Sequence, residues 1–149
     1  MKHLTWKLVL PLTIVSFTLF TKWWDVQIDG EQRDILRGFP LPFVCPGWHT
    51  SLSLQIFLLE LVIDIVVYFA FWFSVIFIAT KTVKSFHISN AVTITLLTIA
   101  GLFAAILILF ATNPDNIYTA TRPFEIKVNA TGYRFMWQEE TRPDYQKLP

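Results

Sequence analysis

Apolar residues fall into three long runs along this chain, at 4–20, 52–80 and 91–111, and the segments between them collect charged residues, Pro and Gly. The second run is long enough to cross a bilayer with tilt, and the third is close to the ~20 residues a crossing helix needs. The first begins as a signal peptide does, with Lys2 and Lys7 ahead of and within the apolar residues. Thr-Lys-Trp-Trp-Asp follows it where a small-residue cleavage site would stand. It reads as an uncleaved helix flanked by Trp6 at one end and by Trp23 and Trp24 at the other, with Pro11 as a kink point. Three transmembrane helices are predicted.

A period of two is clear after the third run. Residues 124–128 and 133–137 alternate large apolar residues with others, and Asn129-Ala-Thr-Gly132 between them has turn chemistry, so the pattern predicts a β-hairpin. Val128 would then face Tyr133, Ile126 face Phe135 and Phe124 face Trp137, forming one apolar aromatic face that needs a support, because a lone hairpin is marginal in water. The long segment 21–51 offers Asp25-Val-Gln-Ile28, a turn at Asp29-Gly30, and Ile35-Leu36. The expected fold class is a membrane all-α core of three transmembrane helices with a small β-hairpin-containing cap on the outer side. Residues 1–111 would form the membrane domain with its outer loop at 21–51, and residues 112–149 the outer tail with its hairpin at 124–137.

Ile126-Lys-Val-Asn-Ala-Thr-Gly-Tyr-Arg-Phe-Met-Trp137, following a long apolar run, resembles the start of the cupredoxin domain in subunit II of haem-copper oxidases. The resemblance covers this aromatic-strand stretch alone. It carries over no copper site, since the chain has one cysteine and three spans where that family usually has two.

Composition agrees with the membrane reading: 54% of the 149 residues are hydrophobic and the mean hydropathy is +0.49. A net charge of +1, with no basic run or stripe, gives no footprint for nucleic acid, which is not an expected partner. Lys2, Lys7, Lys81 and Lys84 lie in two short segments free of acids, whereas 21–51 and 112–149 mix both signs. The positive-inside rule then places the N-terminus and the 81–90 turn inside and the C-terminus outside, in a multi-pass protein of a plasma membrane, bacterial by the character of its short first span.

The candidate chemistry lies in the second run. Glu60 and Asp64 stand four residues apart where no Lys or Arg of the apolar spans can answer them, and an ionised carboxylate there costs several kcal/mol. On a helix they share one face with Tyr68, continuing toward Trp72. Counted from Leu52, Glu60 would lie ~12 Å and Asp64 ~18 Å along the axis, both submerged. Thr13 and Ser16 of the first span are the expected hydrogen-bonding partners. Gly101 and Ala105 have the small-xxx-small spacing that permits close helix approach.

In Gly38-Phe-Pro-Leu-Pro-Phe-Val-Cys-Pro-Gly-Trp-His49 the prolines predict a rigid non-helical strip at the interface, anchored by Trp48 and His49, with Thr50 or Ser51 capping the next helix. Cys45 and His49 form a C-x-x-x-H pair, too few ligands for a structural or catalytic metal site, so no metal and no cofactor is expected.

These features point to an accessory, scaffold or assembly subunit of a larger membrane complex, non-enzymatic, with the lipid bilayer and other membrane subunits or further copies of itself as partners. A small ion- or proton-coupled carrier built around Glu60 and Asp64 is the alternative. An interfacial enzyme using His49 with Glu60 lacks a recognisable nucleophile motif.

Overall fold

The computed structural model describes residues 5–29, 32–47, 50, 53–83 and 88–138. A π-helical turn, Thr5–Val9, leads into helix α1 (Leu10–Leu19). Strands β1 (Phe20–Ile28), β2 (Gln32–Arg37), β3 (Val44–Pro46) and β4 (Leu54–Phe57) follow, then the long helices α2 (Leu58–Thr82) and α3 (Asn90–Ala111), and finally β5 (Ile117–Thr119) and β6 (Ile126–Phe135). Trp48, His49, Ser51, Gly30, Lys2 and Lys84, all singled out in the sequence, lie outside the described residues.

The strands form one six-stranded mixed sheet in the order β5-β4-β3-β2-β1-β6. This overturns the expected small cap on an all-α core: the sheet is a principal layer of the molecule, drawing strands from both sides of the helical pair. The segment 21–51 is mostly strand. Its alternation is visible in Trp24, Val26 and Ile28, which share one face of β1 and belong to the core with Leu36, Cys45 and Phe57. Asp25 and Gln27 stand between them. Asp29 holds the β1–β2 turn in the left-handed region, φ 47°, which Asp tolerates better than most residues.

The tail is not a hairpin. Ile126 to Phe135 is a single strand laid antiparallel along β1, with Ile28 opposite Ile126, Trp23 opposite Gly132 and Phe20 opposite Phe135. The Asn129-Gly132 turn signal is absorbed by a bulge, where the register shifts between Asp25 and Val26 and Asn129 is the extra residue. A nine-residue partner strand outweighs a local turn preference. Gly132 has a different purpose: a Cβ there would stand 2.7 Å from the Trp23 ring, so glycine permits the close approach. The expected buried aromatic face does not form either, for Trp137 is 69% exposed and stacks at 4.9 Å on the exposed Phe135.

Helices α2 and α3 are inserted between the parallel neighbours β4 and β5, which need a crossover connection. Both are long and apolar enough to cross a membrane. Asn116 pins the returning end: its Oδ1 accepts from the Leu54 amide at 3.0 Å, and its Nδ2 donates to the Phe110 carbonyl at 2.7 Å. At the other end Ser89 caps α3, its side chain accepting from the Val92 amide at 3.3 Å. Helix α1 packs against both long helices, and Leu8, Val9 and Ile76 form a second small core there. The first apolar run is thus a ten-residue α-helix behind a π turn, after which the chain continues as β1.

Three outcomes follow from this packing. Gly132→Ala drives a Cβ into the Trp23 ring and should cost ~1–3 kcal/mol in detergent unfolding. Gly101→Ala, where a Cβ meets nothing within 4 Å, should be neutral or stabilise by up to ~1 kcal/mol through helix propensity. Cys45 is buried in the sheet core, and burial first, then the charge of Asp34, raises its thiol from 9.0 to about 12. A maleimide should therefore leave the folded protein unlabelled near neutral pH and label it once unfolded, as measured by mass.

Candidate functional site

Helix α2 begins at Leu58, not near residue 52, because Leu54–Phe57 is strand β4. Glu60 is therefore in the first turn and Asp64 in the second, ~3 Å and ~9 Å along the axis, shallower than the sequence count implied. The face shared by residues 60, 64, 68 and 72 turns inward, and each of its side chains reaches a different segment of the chain.

Glu60 Oε1 accepts from the Arg122 amide at 3.3 Å, holding the link between β5 and β6. Asp64, 0% exposed, accepts through Oδ1 from the Leu41 amide at 2.9 Å, holding the strip between β2 and β3. The Tyr68 hydroxyl donates to the Phe20 carbonyl at 2.7 Å, where α1 becomes β1. Trp72 Nε1 donates to Ser16 Oγ at 2.9 Å. One turn per contact, the stripe fastens α2 to the sheet and to α1.

The chemistry of the strip explains the Asp64 contact. Pro40 and Pro42 have no backbone N–H, so Leu41 between them carries the one donor of the Pro-Leu-Pro unit. Pressed against an apolar helix, that donor needs a partner, and an unmade hydrogen bond there costs ~1–3 kcal/mol. Aromatic rings surround the contact: Phe17 lies 5.4 Å from Phe43 and 5.6 Å from Tyr68, and Phe39 lies 6.1 Å from Tyr68. The second oxygens, Glu60 Oε2 and Asp64 Oδ2, are buried and have no hydrogen-bond partner among the described residues.

The structure does not bring the acids to Thr13 and Ser16. Thr13 donates to the Val9 carbonyl of its own helix, as side chains of apolar helices commonly do, and Ser16 donates to its own helix while accepting from Trp72. Trp23 and Trp24 sit half-buried in the sheet, Trp23 against Gly132 and Trp24 donating through Nε1 to the Gly38 carbonyl at 2.9 Å. Gly101 and Ala105 lie on an exposed side of α3. No group of three or more His, Cys, Asp or Glu side chains that could hold a metal occurs among the described residues.

The residues that sequence reasoning missed are backbone groups: the Leu41 and Arg122 amides and the Phe20 carbonyl. Two prolines flanking one donor were the signal for the first. The other two have none, because a backbone partner leaves no mark on residue identity. No family model matches this chain, and no curated protein or solved structure matches it either.

Asp64→Leu should strand the Leu41 amide and cost ~1–3 kcal/mol, whereas Asp64→Asn keeps an acceptor. Hydrogen exchange at Leu41 distinguishes them: protection is lost in the first variant and kept in the second.

Proposed function

We propose that this chain is a multi-pass integral membrane protein, an accessory or scaffold subunit of a larger membrane complex, with its N-terminus and the 81–90 turn on the cytoplasmic side of a plasma membrane and its sheet outside. The observation that carries the reading is that the inward polar stripe is engaged by the chain's own backbone while its apolar helices are left uncovered. Only 17% of the apolar window of α2 and 6% of that of α3 is buried within the chain. Such faces suit lipid and neighbouring helices. Gly101 and Ala105, unused inside the chain, offer a shallow place where a partner helix can approach closely. The end-to-end arrangement supports the threading: the C-terminal end of α1, the start of α2 and the end of α3 all join strands, so the sheet gathers at one end of the helices.

One observation favours a second reading, a carrier or channel component. Glu60 Oε2 and Asp64 Oδ2 are buried oxygens with no partner among the described residues, and such oxygens in a membrane suit a proton or cation.

The double variant Glu60→Gln with Asp64→Asn separates the readings when complex mass in mild detergent and ion flux in vesicles are both measured. The scaffold reading expects intact assembly and unchanged flux. Intact assembly with flux abolished identifies the carrier. If a partner's base answers the acids, the substitution leaves a buried cation costing ~3–5 kcal/mol and the complex dissociates.

A further inference from the structure

We infer that β6 is a docking edge, to which a partner subunit adds an extended strand that alternates apolar and acidic side chains. This rests on the accessory-subunit reading above and names the surface and the chemistry by which the partner is held.

The first support is an open ladder. No described strand lies beyond β6, and it has 10 residues where the opposite edge, β5, has 3. In an antiparallel pair the backbone groups of alternate residues turn toward the neighbour and those between them turn away. The Met136 amide donates to the Leu19 carbonyl at 2.9 Å, so in register with it Arg134, Gly132 and Ala130 face β1, and Thr131, Tyr133 and Phe135 face out. Beyond the bulge the Asp29 amide donates to the Glu125 carbonyl at 3.3 Å, which turns Ile126 and Val128 outward. Gln138 closes the helix-side rung, its Oε1 accepting from the Phe135 amide at 2.8 Å and its own amide donating to the Phe135 carbonyl at 2.9 Å. Among the described residues the rungs at Ile126, Val128, Thr131 and Tyr133 stay open, and an open edge of this kind is a template for a further strand.

The second support is the chemistry of the two faces beside that edge. Residues directly paired across a sheet lie on the same face. Val128, Tyr133 and Phe135, exposed on β6, pair with Val26, Lys22 and Phe20 and continue the face that carries the sheet core. On the other face, Lys127 and Arg134 of β6 stand with Arg33 and Arg37 of β2. Asp25, ion-paired to Arg33 at 3.3 Å, is the single acid on that face of β1, β2 and β6. A strand laid beside β6 sets alternate side chains against an apolar row and against cations. Apolar residues opposite Val128 and Tyr133, and acids opposite Lys127 and Arg134, satisfy both.

The third is that the other neighbours fit poorly. Two copies paired about a two-fold axis through Ile126 and Val128 set Lys127 opposite Lys127, and like charges directly opposite destabilise a sheet. Pairing of two copies through Thr131 and Tyr133 is cut short by the bulge at Asn129 on one side and by Gln138 on the other. A lysine and a bulge are devices that keep an edge from pairing with itself, and neither opposes an acidic strand. Hydrocarbon is no substitute, since open backbone rungs and the exposed Lys127 need polar neighbours.

The test takes the full-length chain in mild detergent and adds a peptide as long as β6 that alternates Val with Glu. A Val-Lys peptide and a backbone N-methylated Val-Glu peptide are the controls. Hydrogen exchange, read residue by residue, should slow at Val128, Thr131 and Tyr133 with the Val-Glu peptide only, and Leu41 should stay protected throughout. Thr131→Pro removes an outward donor at an edge position where Pro is tolerated, and should abolish binding while Leu41 keeps its protection. Lys127→Glu should weaken the Val-Glu peptide roughly two- to thirty-fold and favour the Val-Lys peptide. No slowing with any peptide, equal binding of the Val-Glu and Val-Lys peptides, or full binding of the N-methylated peptide overturns the inference. Slow exchange at these amides without peptide, in a monomer or on dimerisation, assigns the edge to the chain itself and overturns it as well. The mass of the species extracted from native membranes reports on the accessory reading separately. A chain that weighs as itself alone overturns that reading, whereas an intact complex with fast exchange at Val128, Thr131 and Tyr133 overturns the docking edge and leaves the reading standing.

Discussion

A backbone amide pressed against an apolar helix must be given an acceptor, and the pairing of Leu41 with Asp64 meets that constraint. The prolines on either side of Leu41 make the strip between β2 and β3 stiff and poor in donors, so a single acceptor suffices to dock it. The carboxylate that would be costly alone in an apolar helix becomes the means of holding a strand connection against it. Glu60, Tyr68 and Trp72 repeat the device at successive turns toward other segments. What looks like misplaced polarity along α2 is a seam between a helix and a sheet.

The seam matters because the sheet and the helices have little else to share. The sheet core is built from Val26, Ile28, Leu36, Cys45 and Phe57, and the helical core from Leu8, Val9 and Ile76. Between them lie the aromatic contacts of Phe17, Phe39, Phe43 and Tyr68, offset or edge-on as ring quadrupoles prefer. Connectivity reinforces the joint. The α2–α3 pair leaves from β4 and returns to its parallel neighbour β5, so both ends of the helical excursion are hydrogen-bonded into one sheet.

Closing that sheet requires the chain's early and late segments to meet. Strand β6 pairs with β1 along nearly its whole length, and the close contact of Gly132 with Trp23 fixes the register at the point where a side chain would collide. The short α1 follows from the same arrangement: it ends where β1 begins, and Tyr68 takes up the carbonyl at the change of structure.

The sequence alone determined that two long apolar helices are present, that Glu60, Asp64 and Tyr68 share one helix face, and that Pro40 and Pro42 lie in an extended strip, since each follows from a local period or from a ring that removes a donor. The tertiary structure decided which strands pair and what the acids hold. Asn129 to Gly132 has the composition of a turn, yet it lies within a strand because β1 offers a ladder that local preference cannot outweigh. Thr13 and Ser16 were the polar side chains at plausible depth, but the groups that reach the acids are the amides of Leu41 and Arg122. Backbone donors are the same at every non-proline residue. Apart from the prolines that single out Leu41, their identity as partners is set by where the chain passes in space.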